Sequence, residues 1–143
     1  MTSSYLLDVN VLIALSWPEH VHHAAVRRWF AKNSAKGWAT CPLVQAGFVR
    51  IVSNPAFSPR SVSVKEAIEG LRISLQDGLH RFWPDALSVP EAAQLMKKPI
   101  MGHQQIMDAY LVALAIHNRG KLATLDRSIA AIAPDGAVEV ITA

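Results

Sequence analysis

The chain has 143 residues, of which 14 are basic and 11 acidic, so its formal net charge is +3 with neutral histidines. Hydrophobic residues make up 51% and charged residues 17%, which excludes a disordered chain and predicts a single globular domain over residues 1–143. The single cysteine, Cys41, excludes a disulfide scaffold and a thiolate zinc cage. No apolar run approaches the roughly 20 residues of a membrane span, and residues 1–4 lack the basic start of a signal peptide, so we expect a cytoplasmic protein without membrane contact.

Short apolar segments alternate with stretches of helical periodicity in the first half of the chain. The predicted elements are a strand at 5–7, a helix at 9–15, a helix at 19–32, a strand at 38–41 and a helix that begins at Pro42.

The second half repeats this alternation and supplies clear helix boundaries. Ser63 with Glu66 and Ser88 with Glu91 have the spacing of capping boxes. Gly120 stands where a glycine cap is expected after a helix. The predicted elements are a helix at 63–76, a strand at 80–83, a helix at 92–96, a helix at 104–118, and strands at 121–125 and 137–141.

This alternation predicts an α/β fold, in which a mainly parallel central sheet of about five strands has helices on both faces. Strands separated by helices must cross over in order to pair in parallel. The last two strands are the one pair for which a hairpin across residues 126–135 remains open.

Three aspartates are the candidate functional residues. Asp8 and Asp126 directly follow predicted strands, and open parallel sheets bind ligands beyond the carboxyl ends of their strands. Asp108 lies among apolar residues of a predicted helix, where a carboxylate is costly unless a cation compensates for its desolvation. The nearest basic residues in the sequence, Lys98 and Arg119, are ten and eleven positions away. A metal ion is therefore an attractive partner.

Carboxylates without a paired histidine or cysteine favour a hard divalent cation, Mg²⁺ or Mn²⁺. Such ions commonly activate water and neutralise charge in phosphate chemistry. Without the three aspartates, the chain has 8 acidic residues against 14 basic ones, which suits a polyanionic substrate. Two other interpretations remain open: the strand-end aspartates cap helices or turns, and the basic residues form an ordinary solvated surface.

A histidine cluster follows the first predicted helix. His20 and His23 are one helical turn apart, which would let both face one ligand. No other histidine or cysteine is placed by sequence to complete a metal site. A contact with RNA and an ordinary surface position are the alternatives for His20, His22 and His23.

Several segments, in their order and spacing, resemble the PIN domain, and specifically the VapC-type toxin ribonucleases of bacterial toxin–antitoxin modules. The similarity covers nearly the whole chain. The segments are Leu6-Leu7-Asp8-Val9-Asn10, Trp38-Ala39-Thr40-Cys41-Pro42, Gly47-Phe48-Val49-Arg50-Ile51, Asp108-Ala109-Tyr110-Leu111 and Thr124-Leu125-Asp126-Arg127.

The resemblance implies an endoribonuclease in which an acidic quartet binds Mg²⁺ or Mn²⁺. Asp8, Asp108 and Asp126 match the first, third and fourth acids, and they are the expected metal ligands. Gln45 stands where the family usually has the second acid, so the expected catalytic set contains an amide at this position. Asn10 matches a polar residue that orients the first aspartate.

The resemblance also implies three kinds of partner: an RNA substrate, a cognate antitoxin that blocks the acidic site, and a second copy of the chain in a homodimer. Arg50 and Arg127 lie near the carboxyl edge of the sheet by motif placement and are the expected phosphate contacts.

Two other functions compete with an active ribonuclease. A degenerate PIN domain would bind RNA or a protein without efficient cleavage, and Gln45 is the feature that favours it. A phosphatase would use Asp8 as its nucleophile. Enzymes of that kind resembling haloacid dehalogenases generally have a second aspartate two residues on, where this chain has Asn10.

Overall fold

The computed structural model describes residues 4–60 and 62–142. Residues 1–3, on which the signal-peptide argument rests in part, lie outside the described chain. Its strands are β1 (Tyr5–Leu7), β2 (Trp38–Thr40), β3 (His80–Phe82), β4 (Lys121–Thr124) and β5 (Val138–Val140). Its α-helices are α1 (Val9–Ser16), α2 (His23–Asn33), α3 (Pro42–Val52), α4 (Val64–Ser74), α5 (Val89–Gln94) and α6 (Ile106–His117). Short 3₁₀ turns occupy Ser34–Lys36, His103–Gln105 and Arg127–Ala131.

The five strands form one sheet in the order β3-β2-β1-β4-β5, and all four neighbouring pairs are parallel. The prediction of an α/β domain with a parallel sheet is confirmed. The hairpin option for the last two strands is excluded, because the 3₁₀ turn Arg127–Ala131 lies in a crossover that returns the chain to pair β5 in parallel with β4.

The sheet is covered on both faces. Successive side chains of a strand point to opposite faces, yet Leu6 and Leu7 of β1 are both fully buried, and so are Leu122 and Ala123 of β4. Helices α1 and α6 both contact the central strands β1 and β4. Among the described residues, none of the helices combines the length and the apolar character needed to cross a bilayer.

The predicted start of the second helix at residue 19 is wrong, because α2 begins at His23. The intervening residues form turns, in which the backbone N–H of His20 donates to the carbonyl of Trp17 and that of His23 to the carbonyl of His20. The His23 ring lies 2.7 Å, through Nδ1, from the carbonyl oxygen of Ala14 near the end of α1. These contacts keep the turn segment close to the first helix.

The prediction that Gly120 is the glycine cap of the preceding helix is also wrong. The residue with positive φ after α6 is Arg119, at 60°, and not the glycine. Gly120 is instead required by close packing, since a Cβ built on it would lie 2.4 Å from the carbonyl oxygen of Ser4 and 2.8 Å from the Trp83 ring. The glycine lets the start of β4 approach the start of β1.

Candidate functional site

The candidate site lies at the carboxyl end of the central strands. From β1 the chain continues to β2 on one side, whereas β4 lies on the other side, so β1 marks a topological switch point of the sheet. Ligands of open α/β sheets bind beyond the strand ends at such points. Asp8 follows β1 directly and Asp126 follows β4 after one residue, so the sheet brings these two residues to the same edge.

Asp8 is 6% exposed and held at both carboxylate oxygens. Oδ1 accepts the Val9 backbone N–H at 2.8 Å, which caps α1, and Oδ2 accepts the Thr124 hydroxyl at 2.7 Å. Burial raises the pKa of Asp8, while the bonds from Thr124 and Val9 lower it and the charge of Asp126 raises it. The carboxylate is therefore fixed in position before any ligand arrives.

Asp126 is exposed and belongs to the same network. Its backbone N–H donates to Thr124 Oγ1 at 3.1 Å. Its Oδ1 accepts the backbone N–H of Ser128 at 2.9 Å and the Ser128 hydroxyl at 2.7 Å, which caps the 3₁₀ turn that follows. The second oxygen, Oδ2, has no hydrogen bond with the described residues, so it is available to a ligand.

Asp108 lies in the first turn of α6 and is half-buried. Its pKa is raised to about 6, mainly by burial and further by the charges of Asp8 and Asp126. No lysine or arginine of the described chain lies within salt-bridge distance of these three aspartates. The mutual repulsion of the three carboxylates is therefore uncompensated by any ion pair.

All three aspartates line one cleft of about 400 Å³. The other lining residues are Asn10 and His20, which are polar, and four apolar residues, Val9, Ile13, Ile51 and Phe57. The cleft thus combines carboxylate oxygens with an apolar wall, and none of the described residues that line it is a lysine or an arginine.

The donor set suits a hard divalent cation, because it consists of carboxylate oxygens that repel one another without a counter-charge. Within the part of the chain that the structure describes, no three histidine, cysteine, aspartate or glutamate side chains converge closely enough to surround a metal ion. Asp8 is rigidly held. Any convergence would therefore come from rotation of the exposed Asp126 and the half-buried Asp108.

Asn10 lines the cleft but makes no direct hydrogen bond to Asp8. Its side-chain oxygen accepts the Leu125 backbone N–H at 3.3 Å, and its amide nitrogen donates to Thr124 Oγ1 at 3.4 Å. Asn10 therefore acts on Asp8 through Thr124.

Gln45 is not among the residues that line the cleft. Its amide nitrogen donates to Thr40 Oγ1 at 3.0 Å, and the side chain borders a separate groove between α3 and α4. The opposite side of α3 faces the site, since a Cβ on Gly47 would lie 2.9 Å from Val9. At 100° per residue, positions 45 and 47 lie about 160° apart around the helix.

The two arginines predicted to contact phosphate have different positions. Arg127 is exposed and directly follows Asp126, which lines the acidic cleft. Arg50 is exposed and borders the same α3–α4 groove as Gln45. The structure thus brings Asp8, Asp108, Asp126 and Asn10 together and leaves Gln45 and Arg50 on another surface.

Sequence reasoning missed the role of Thr124. This buried hydroxyl links Asp8, Asp126 and Asn10, and the only sequence signal is a threonine at a strand end two residues before an aspartate. The histidine metal site considered from the sequence does not form among the described residues, where His20 lines the acidic cleft and His22 and His23 do not.

Comparison with known proteins adds independent evidence. A family model for the PIN domain matches residues 5–134. The chain is 43% identical over 136 residues to Ribonuclease VapC39 of Mycobacterium tuberculosis, an alignment that covers 95% of this chain and 98% of the relative. It is 40% identical over 140 residues to Ribonuclease VapC38 of the same species, an alignment that covers 96% of this chain and 97% of the relative.

Solved structures share the fold at low sequence identity. Mycobacterium tuberculosis VapC20, described as a toxin that cleaves the sarcin-ricin loop, gives a TM-score of 0.67 at 16% identity, with 96% of this chain and 99% of that chain covered. VapBC2 of Rickettsia felis, solved with a DNA fragment from its promoter, gives a TM-score of 0.65 at 14% identity, with 97% of this chain and 99% of that chain covered. Together with the family model and the curated relatives, the matched fold shows that this chain belongs to the PIN-domain family, among its VapC-type members.

Proposed function

We propose that the protein is a metal-dependent endoribonuclease that hydrolyses RNA phosphodiester bonds as the toxin of a type II toxin–antitoxin module. The observation that carries this proposal is the placement of Asp8, Asp108 and Asp126 in one cleft, where no described lysine or arginine forms an ion pair with them. The names of the VapC ribonucleases that the chain resembles support RNA as the substrate.

The three aspartates would hold Mg²⁺ or Mn²⁺, and the bound ion would supply an activated water and neutralise charge on the phosphate. Thr124 and the Val9 backbone hold Asp8 in place, so this carboxylate needs little reorganisation. The pKa of Asp108 is raised to about 6, so below that pH a cation would have to displace the proton of Asp108 in order to bind there. An ionised aspartate of the set would accept the proton of the attacking water.

We extend the proposal to protein partners. An antitoxin would cover the acidic cleft, and two copies of the chain would form a homodimer in the cytoplasm. Two solved neighbours are antitoxin–toxin complexes, namely VapBC2 bound to a DNA fragment from its promoter and FitAB bound to the IR36 DNA fragment, and they support the antitoxin part of this proposal.

A second candidate function is a degenerate PIN domain that binds RNA or a protein without efficient cleavage. Two observations favour it. Gln45 replaces the family's usual second acid and borders another groove. Among the described residues, the three aspartates do not lie close enough together to surround a metal ion.

One experiment separates the two functions. The purified protein is incubated with total RNA in EDTA, Mg²⁺ or Mn²⁺, and the Asp108→Asn variant is treated in parallel. The enzyme proposal expects discrete fragments only with a divalent cation and only from the unmodified protein. Intact RNA with Mn²⁺, together with retained RNA binding, would instead establish the degenerate domain.

A further inference from the structure

We infer that His20 is a substrate-binding residue of the acidic cleft, which donates a hydrogen bond from Nε2 to a phosphate oxygen of the bound RNA. This inference rests on the proposed function and names one group that would hold the substrate there.

His20 lines the same cleft as the three aspartates, although it lies in the turn between α1 and α2. The turn is held at several points. The His20 N–H donates to Trp17, its carbonyl accepts from His23, and the Trp17 ring packs edge-on against Phe57 of the cleft wall at a centroid distance of 4.9 Å.

Nδ1 of His20 accepts the backbone N–H of His22 at 3.0 Å, so this nitrogen bears no proton. In a neutral imidazole the other ring nitrogen then carries the hydrogen, which makes Nε2 the donor. Within residues 4–60 and 62–142, Nε2 has no hydrogen-bond partner.

The same contact argues against a metal-ligand role for His20. A histidine that binds a metal through Nε2 usually donates its Nδ1–H to an acceptor. Here Nδ1 faces an N–H donor, and the available group at Nε2 is itself an N–H. His20 is therefore suited to an anionic oxygen and not to a cation.

Asn10 and His20 are the side chains with N–H groups in the described lining of the cleft. The Asn10 amide is already held between Leu125 and Thr124. Burial and the neighbouring His22 and His23 lower the pKa of His20, so the ring is neutral at pH 7. A neutral N–H donor can bind a phosphate oxygen without competing with a cation for the aspartates.

RNA binding by a His20→Ala variant tests the inference, with His22→Ala as the matched control. The control removes an imidazole from the same turn but keeps the backbone N–H that holds His20. Both changes are made in the Asp108→Asn background to prevent cleavage, and the probes are two fluorescein-labelled single-stranded RNAs of unrelated sequence. Because it loses one neutral hydrogen bond to phosphate, the His20 variant should bind both RNAs about fivefold more weakly. The His22 variant should bind within about twofold of the parent.

The salt dependence and the tautomer provide readouts that a purely structural role would not change in this pattern. Because His20 is neutral, the slope of log K against log salt should stay constant, whereas loss of a charged contact lowers it by about one. Long-range ¹H–¹⁵N spectra of the protein with intact His20 should show an Nε2–H ring whose signals shift on RNA addition. These spectra test the inference even if His20→Ala does not fold.

An Nδ1–H tautomer, unshifted His20 signals in the RNA complex, or equal weakening by His22→Ala would overturn the inference. If the unmodified protein cleaves RNA with Mn²⁺ and the His20→Ala variant still binds RNA as tightly as the parent, the inference is overturned and the proposed function is not. A protein that neither binds nor cleaves RNA would overturn the proposed function, and the inference with it.

Discussion

The hydroxyl of Thr124 donates a 2.7 Å hydrogen bond to Oδ2 of Asp8 and also accepts the backbone N–H of Asp126 at 3.1 Å. One buried side chain at the end of β4 thus positions both the acid that follows β1 and the acid that follows β4. The two aspartates are 118 positions apart in the chain, and Thr124 couples them within a single hydrogen-bond network.

Replacement of Thr124 by Val should destabilise the protein and weaken catalysis. The Val side chain leaves the Asp126 N–H and one Asp8 oxygen without their partner, at a cost of about 1–3 kcal/mol. Loss of a group that orients a metal ligand costs about 10–100-fold in activity. Urea melts and cleavage assays with Mn²⁺ measure the two effects. Thr124→Ser keeps the hydroxyl and should lose about 1 kcal/mol of stability at most. Equal activity of Thr124→Val and Thr124→Ser would refute the role of Thr124.

Replacement of Asp108 by Asn should abolish cleavage and stabilise the metal-free fold at neutral pH. The folded-state pKa of about 6 exceeds the ordinary aspartate value of 3.8, so ionisation of Asp108 costs stability as the pH rises between these values and costs the full amount above pH 6. Because the side chain is partly exposed, the expected gain at pH 7 in EDTA is a Tm increase of only roughly 3 °C.

Thermal melts at two pH values, with and without Mn²⁺, test this prediction. Near pH 4 the two proteins should melt together, and Mn²⁺ should raise the Tm of the unmodified protein alone. A variant that melts lower than the parent in EDTA at pH 7 would contradict the proposed repulsion.

Replacement of Gln45 by Glu should leave Mn²⁺ affinity within about twofold, because Gln45 borders the α3–α4 groove and not the acidic cleft. It should lower stability by about 1 kcal/mol, because a carboxylate cannot donate to Thr40, whose hydroxyl also lies 2.7 Å from His80 Nε2. Calorimetric titration compares it with Gln76→Glu, which adds the same charge at an exposed position. Markedly tighter binding in Gln45→Glu alone would mean that residue 45 reaches the metal.

Replacement of Arg127 by Ala should lower the salt slope of RNA binding by about one unit, and Arg50→Ala should leave it unchanged. Arg127 directly follows Asp126, which lines the acidic cleft, whereas Arg50 borders the α3–α4 groove. Both variants remove one exposed arginine, so Arg50→Ala is the matched control for net charge. The opposite result would place the RNA along the α3–α4 groove.

Replacement of Gly120 by Ala should be strongly destabilising, by about 2–4 kcal/mol, because the added methyl group meets backbone of Ser4 at 2.4 Å. Gly70→Ala is the contrasting change. Nothing lies within 4 Å of its Cβ position in α4, so the variant should gain about 0.5–1 kcal/mol. Chemical denaturation of both variants measures the difference, and a neutral Gly120→Ala would contradict the close approach of β4 to Ser4.

The sequence by itself determined the order of strands and helices, because each element has its own apolar period and its own boundary residues. Both capping boxes and the proline at the start of α3 lie where the local spacing predicts them. The edge that Asp8 and Asp126 share also follows from sequence, since it requires only that the strands be parallel and that each aspartate follow its strand.

Only the tertiary structure decided which side chains enter the cleft. Gln45 is close to a motif in sequence, yet the packing of Gly47 on Val9 directs residue 45 to the opposite side of α3. His20 enters the cleft because its turn folds back on α1 instead of continuing as a helix. Local periodicity describes one element at a time, whereas the direction of these side chains depends on contacts between elements that are distant in the chain.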